Sequence, residues 1–203
     1  MIEINDFTIN EKDLANKNFP VVINGKEFWI SRAVAVVVFI FKKIKNKLCV
    51  LTEIRGNGAA DFIGYRCVPC GYVDYNETIQ EAAIREVREE TGMSLFKDNL
   101  TFMKINSSPL ENRQNISIHF VYFANENDDF SIENAVGGEK DEISKVEWIP
   151  IGTIKKKNLL CKLYNNNTKG DLIINHNAIF FEKWAFKHGE MIYNHLSKFY
   201  NIK

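Results

Sequence analysis

The chain has 203 residues, 45% of them hydrophobic, with 15 Phe, 7 Tyr, 3 Trp and a formal net charge of +0. That length and apolar content suit one domain with a sizeable core, with or without extensions. The neutral balance supports neither a nucleic-acid groove nor an acidic disordered tail, and the longest clean apolar run, 33–41, is too short to cross a bilayer as a helix.

Residues 1–30 read as an N-terminal extension or as added strands. Runs at 2–9 and 21–30 are strand-like, with a tight turn at Asn24-Gly25 and another expected across 16–20. The main domain takes up 31–203. Within it, 33–41 is rich in Val and Ile and reads as a buried strand. Residues 48–54 are its hairpin partner across a polar connection at 42–47. A loop at 55–64 leads to a short strand at 65–69 that runs into Gly71. The clearest helix is 78–91, where Ile79, Ala82, Ala83 and Val87 recur at spacings of three and four. Asn76 or Glu77 lies near its start and Gly92 stops it. Strands follow at 100–106, 116–124 and 143–150, with an acidic loop at 125–142. A turn at 165–170 precedes a helical region at 175–200 that Gly189 interrupts. Strands, a helix, more strands and a closing helix make a mixed α/β domain.

The cysteines are Cys49, Cys67, Cys70 and Cys161. The opening MIEINDFTINEKDL has neither the basic start nor the apolar stretch of a signal peptide. Reduced thiols and a cytoplasmic location are therefore expected. Cys67 and Cys70 form a CxxC, but no second CxxC or histidine pair completes a zinc set.

The segment GYVDYNETIQEAAIREVREETGM carries the chemistry. Glu86, Glu89 and Glu90 fall at i, i+3 and i+4 and share one helix face, where they repel one another. A solvated acidic face is one reading. A divalent cation explains the cluster better, because magnesium and manganese take oxygen ligands and relieve the repulsion. Gly71 would permit a tight turn and a close backbone approach.

This segment resembles the Nudix hydrolase signature: glycine, five residues, glutamate, seven residues, then Arg-Glu, an aliphatic, any residue, Glu-Glu, any residue, glycine and a large apolar residue. Gly71, Glu77, Arg85, Glu86, Val87, Glu89, Glu90, Gly92 and Met93 fill every fixed position. The resemblance implies a mixed-sheet α/β/α sandwich. It also implies hydrolysis of a diphosphate linkage in a nucleoside diphosphate derivative, ADP-ribose or a nucleotide sugar first, with Mg2+ or alternatively Mn2+ as cofactor. A nucleoside triphosphate pyrophosphohydrolase and a non-catalytic nucleotide sensor are the alternatives. Glu89 and Glu90 resemble the principal metal ligands, Glu86 a further ligand or base, and the Cys70 carbonyl another metal contact. Gly71, Glu77 and Arg85 resemble a brace that holds the loop against the helix. A further acid from a distant loop is implied, with Glu139, Asp141 and Glu142 as candidates and Glu139 or Glu142 to complete the metal shell or act as base. Arg32, Arg55 and Arg66 suit phosphate contacts, and Phe62 is one of several rings able to stack on a base. Pro109 stands sixteen residues after Met93, a spacing that tilts the resemblance toward the ADP-ribose-hydrolysing group. The expected partner is a nucleotide-like small molecule, with a homodimer allowed by the resemblance and no nucleic acid or membrane partner.

Overall fold

A computed structural model describes residues 19–23, 25–110, 115–131, 135, 141–155 and 170–203. β1 (Phe19–Ile23) and β2 (Lys26–Ile30) form a two-stranded hairpin around Gly25, whose φ of +77° suits glycine. Phe19 and Pro20, expected in a turn, instead belong to β1. A proline is tolerated there because β1 is an edge strand. The strand expected at 2–9 lies outside the described residues.

Among the described residues, nine strands make the main sheet. They are β3 (Ala33–Ile44), β4 (Lys47–Arg55), β5 (Arg66–Cys67), β6 (Cys70–Tyr72), β7 (Thr101–Asn106), β8 (Asn115–Ala124), β9 (Ile143–Ile154), β10 (Gly170–Ile174) and β11 (Tyr200–Ile202). The order is β11-β10-β9-β4-β3-β8-β7, with β5 paired to β4 and β6 to β3. The pairs β3–β8 and β10–β11 are parallel and the rest antiparallel, so the sheet is mixed.

The apolar run of β3 is explained by burial on both faces. Val36, Val38 and Ile40 face a core shared with Leu51, Phe120, Tyr122 and the helix residues Ala82, Ala83 and Val87. Val37, Phe39 and Phe41 face a second core with Leu48, Val50, Val121, Ile192 and Leu196. The first core lies under α1 (Ile79–Thr91) and the second under α2 (His188–Phe199). The result is the expected α/β/α sandwich. Among the described residues, no helix is long and apolar enough to cross a membrane.

Several expected boundaries move for physical reasons. The polar connection at 42–47 shrinks to Lys45-Asn46, with Lys45 at φ 56°. The single strand expected at 65–69 splits in two. Val68 gives its N–H to His188 Nδ1 (3.1 Å), Pro69 has none to give, and the chain crosses from β4 to β3 there. β9 continues past Pro150 to Ile154, with the proline beside a register shift where a missing N–H is tolerated. The helix expected at 175–200 is preceded by an unforeseen strand, β10, and ends in another, β11. It is also broken at Phe186 and Lys187, both at positive φ, rather than at Gly189. Gly189 lies in the first turn of α2, where a Cβ would come within 2.6 Å of the Trp184 ring.

Candidate active site

The start of α1 is set by Thr78, not by Asn76 or Glu77. Thr78 Oγ1 accepts from the Glu81 N–H (3.3 Å), and the Glu81 carboxylate accepts from the Thr78 N–H (2.8 Å), a reciprocal capping box. Gly92 ends the helix at φ 68°, with its N–H on the Arg88 carbonyl (2.8 Å).

Arg85 organises the outer half of the site. Its Nε and Nη2 donate to the two Glu77 oxygens at 2.9 and 2.6 Å, and Nη2 also donates to the Tyr72 carbonyl at 2.8 Å. Glu77 in turn accepts the Asp74 N–H at 2.8 Å. This ties the 72–77 loop to the helix through a bidentate pair. The Arg85 hydrogen bonds hold the Glu77 carboxyl below its ordinary range. Nη1 of Arg85 donates to Glu86 and to Glu89, both at 2.9 Å, so one guanidinium sets the direction of three carboxylates.

Gly71 does something other than turn the chain. It lies in β6 at ordinary φ, and a Cβ built on it would overlap the Glu86 carboxylate. The glycine leaves room for that carboxylate to lie flat against the strand. One residue earlier, the Cys70 N–H donates to Glu90 Oε2 (3.0 Å), so β6 receives both helix acids.

Burial pushes the Glu86 and Glu90 carboxyls up, Glu90 well above the ordinary range, and for Glu90 the charges of Glu53 and Glu86 add to the push. Glu53 was not anticipated. It is buried on β4, accepts from Cys67 Sγ (3.1 Å), and burial raises its carboxyl to about 7. Its signal was present in the alternation of β4. Residue 53 shares the face of Leu51, which packs beneath α1.

The loop acid reaches the same place by backbone contacts. Gly56 N–H donates to the Glu142 carbonyl (2.6 Å) and Gly58 N–H to the Asp141 carbonyl (2.9 Å). Glu142 faces Glu53 and Glu90 closely enough to raise both carboxyls. Glu139 lies outside the described residues.

The other expected residues are spread around this centre. Arg55, whose charge also acts on Glu53, is paired with Asp61 (2.9 Å) and lies over the Phe186 ring at 5.3 Å. Phe62, at φ 53°, packs edge-on against Phe186 (4.9 Å) and Tyr65 (5.6 Å), making an aromatic rim. Phe186 was not foreseen, because it reaches the rim only through the break before α2. Arg66 is committed to Glu147 (2.8 Å) and Thr52 (2.7 Å). Arg32 donates to the Ser107 (2.7 Å) and Asn115 carbonyls, away from the acids. Pro109 is exposed in the turn after β7.

Carboxylates with raised affinity for protons and no full set of counter-charges suit a hard divalent cation. Among the described residues, no three His, Cys, Asp or Glu side chains converge into a ready cage.

Comparison with known proteins bears on the family and the fold. Nudix hydrolase 6 of Arabidopsis thaliana is 30% identical over 122 residues, which is 60% of this chain and 40% of that protein. The chain thus spans about two-fifths of that relative's length. A MutT/nudix family protein from Enterococcus faecalis superposes with a TM-score of 0.60 at 18% identity, over 83% of this chain and 63% of that one. The NUDIX domain of Shewanella oneidensis NrtR, complexed with ADP ribose, gives 0.57 at 16% identity, over 83% and 89%. A Francisella tularensis bifunctional NMN adenylyltransferase/ADP ribose pyrophosphatase, with AMP and a Mn ion, gives 0.55 at 19% identity, over 83% and 42%. At these identities the structures speak to the fold alone. The sequence match is more specific, because the NUDIX domain model covers residues 31–166, the stretch that holds the braced acidic helix, β4 and the Glu142 loop, and so the chain belongs to the Nudix family.

Proposed function

We propose that the protein is a divalent-metal-dependent hydrolase of a diphosphate linkage in a nucleoside diphosphate derivative, with ADP-ribose as the first substrate. The observation that carries this is the convergence of Glu86 and Glu90 on β6, beside Glu53 and Glu142, with Arg85 holding Glu86 and Glu89 in place. A Mg2+ or Mn2+ ion bound by these carboxylates supplies Lewis acidity at the diphosphate oxygens.

The chain's own residues do the rest. Glu86, Glu89 and Glu90 hold the cation side, with the Cys70 peptide beside them. Arg85, itself held by Glu77, keeps Glu86 and Glu89 from moving when substrate arrives, and the Cys70 N–H does the same for Glu90. Glu142 receives the proton of a water whose oxygen bonds to one phosphorus. The bridging P–O bond then breaks and the proton passes to the released phosphate. Positioning and electrostatics suffice, with no covalent intermediate. The rim of Phe62, Tyr65 and Phe186 offers ring faces to a base, and Arg55 beside it suits a phosphate.

ADP-ribose is favoured because, of the proteins similar in fold, the Shewanella oneidensis NUDIX domain is complexed with ADP ribose and the Francisella tularensis protein is an ADP ribose pyrophosphatase. Cytoplasmic residence is part of the same proposal.

The test is a hydrolysis panel with Mg2+ or Mn2+ covering ADP-ribose, NADH, nucleotide sugars, diadenosine polyphosphates, capped RNA and nucleoside triphosphates. Glu89→Gln and Glu90→Gln are run beside the parent. Metal-dependent product that disappears in both variants is the expected result. Tight nucleotide binding without turnover across the panel would overturn the enzyme in favour of a sensor.

A further inference from the structure

Glu53 is a buried carboxylate that the helical signature does not account for. It is 1% exposed and comes from the sheet, on the face of β4 that looks toward α1. One oxygen, Oε1, accepts from Cys67 Sγ at 3.1 Å. The other, Oε2, is buried with no hydrogen-bond partner. A buried polar atom of this kind is costly unless something satisfies it.

The surroundings point to a cation. Glu86 and Glu142 push the Glu53 carboxyl up, Arg55 pulls it down, and Glu53 in turn raises Glu90. Arg55 spends its Nε and Nη2 on Asp61 and faces the Phe186 ring, so its guanidinium does not satisfy the orphan oxygen. Glu90 reaches the same space from the opposite layer, anchored by the Cys70 N–H. Two carboxylates from two different layers thus act on each other directly. A water could hydrogen-bond Oε2, but it would leave the mutual repulsion of four acids in place. A divalent cation satisfies the oxygen and offsets the charge together.

We propose that Glu53 is a direct ligand of the bound divalent cation, supplying one carboxylate oxygen from the sheet opposite Glu90 on the helix. This rests on the reading above that the site takes such a cation. It extends the ligand set to a residue outside the signature and gives the cation a position between the layers. Water and phosphate oxygens complete the shell.

Two measurements test it, neither depending on turnover. In the first, Mn2+ is titrated into the parent and Glu53→Gln, and free Mn2+ is followed by electron paramagnetic resonance. The amide keeps the size of the side chain and an acceptor for Cys67. Affinity weaker by on the order of 10-fold or more in Glu53→Gln, with Glu90→Gln weakened alike, is expected. In the second, parent crystals soaked in Mn2+ are examined for anomalous scattering, which needs no variant to fold. A peak about 2.1–2.2 Å from Glu53 Oε2 is expected, near the inner-sphere distances of such ions. Mn2+ bound at Glu86, Glu89 or Glu90 but away from Glu53, with unchanged affinity in Glu53→Gln, overturns this inference and leaves the hydrolase reading standing. No Mn2+ binding in the parent overturns both.

Discussion

Replacing Gly71 by alanine separates the role of this glycine from the usual role of a glycine in a turn. The backbone at 71 is ordinary strand, so alanine introduces no φ strain. The added methyl instead overlaps the Glu86 carboxylate. Normal contacts are about 3.5–4 Å, so the carboxylate must retreat by roughly 1 Å or more. It is the end of a flexible side chain and can swing toward solvent. Doing so loses the 2.9 Å hydrogen bond from Arg85 but also removes the burial that raises its carboxyl. The two effects oppose each other, so Gly71→Ala should change stability by less than about 1 kcal/mol. A displacement of that size in a group that positions the cation should reduce kcat on the order of 100-fold. Denaturant melts and steady-state hydrolysis on the same preparation read both quantities. Full activity in Gly71→Ala would refute the packing argument, and global unfolding would show that the glycine serves the backbone instead.

Thr78→Ala removes the side-chain half of the capping box and should cost about 1 kcal/mol. For a chain of this size that is about 2–4 °C in Tm by calorimetry, with kcat at 25 °C nearly unchanged. Arg85→Lys keeps the charge but loses the bidentate grip on Glu77 and the links to Glu86 and Glu89. Steady-state assays should show kcat lower by roughly 10-fold or more, while a change in KM alone would contradict the bracing role. His188 Nδ1 accepts the Val68 N–H, and burial lowers its pKa to about 3. Its contribution to stability is therefore fully present above its unfolded pKa of about 6.5 and is lost as pH falls from there toward 3. Relative to His188→Gln, which keeps an acceptor but does not titrate, the parent should lose about 2 kcal/mol between pH 7 and pH 5 in urea melts. A pH-independent difference would contradict the neutral, accepting imidazole.

The acidic helix was legible because every local preference agrees there. Its apolar stripe, Gly92 and the spacing of Glu77, Arg85, Glu86, Glu89 and Glu90 all point to one element, and the structure differs only in placing the cap at Thr78. The hairpin of β3 and β4 was legible from Val and Ile content for the same reason. Glu53 was harder to see because its role depends on which face of β4 turns toward α1, and register fixes that rather than residue type. Phe186 was hidden by the positive φ of two non-glycine residues, for which the sequence offers no signal. The strand β10 was missed because the five-residue stretch GDLII, with only Leu172, Ile173 and Ile174 apolar, carries too little periodicity to separate strand from loop. Likewise β11 continues the apolar spacing of α2 and reads as its last turn.

The central claim is that the braced carboxylates serve metal-dependent cleavage of a diphosphate bond. The most direct measurement follows ADP-ribose with the parent and Glu90→Gln by 31P nuclear magnetic resonance, with Mg2+ present and then removed by chelator. The account predicts AMP and ribose 5-phosphate in equal amounts from the parent with Mg2+, and none after chelation or from Glu90→Gln. Equal product with and without metal, or from Glu90→Gln at the parent rate, would contradict it.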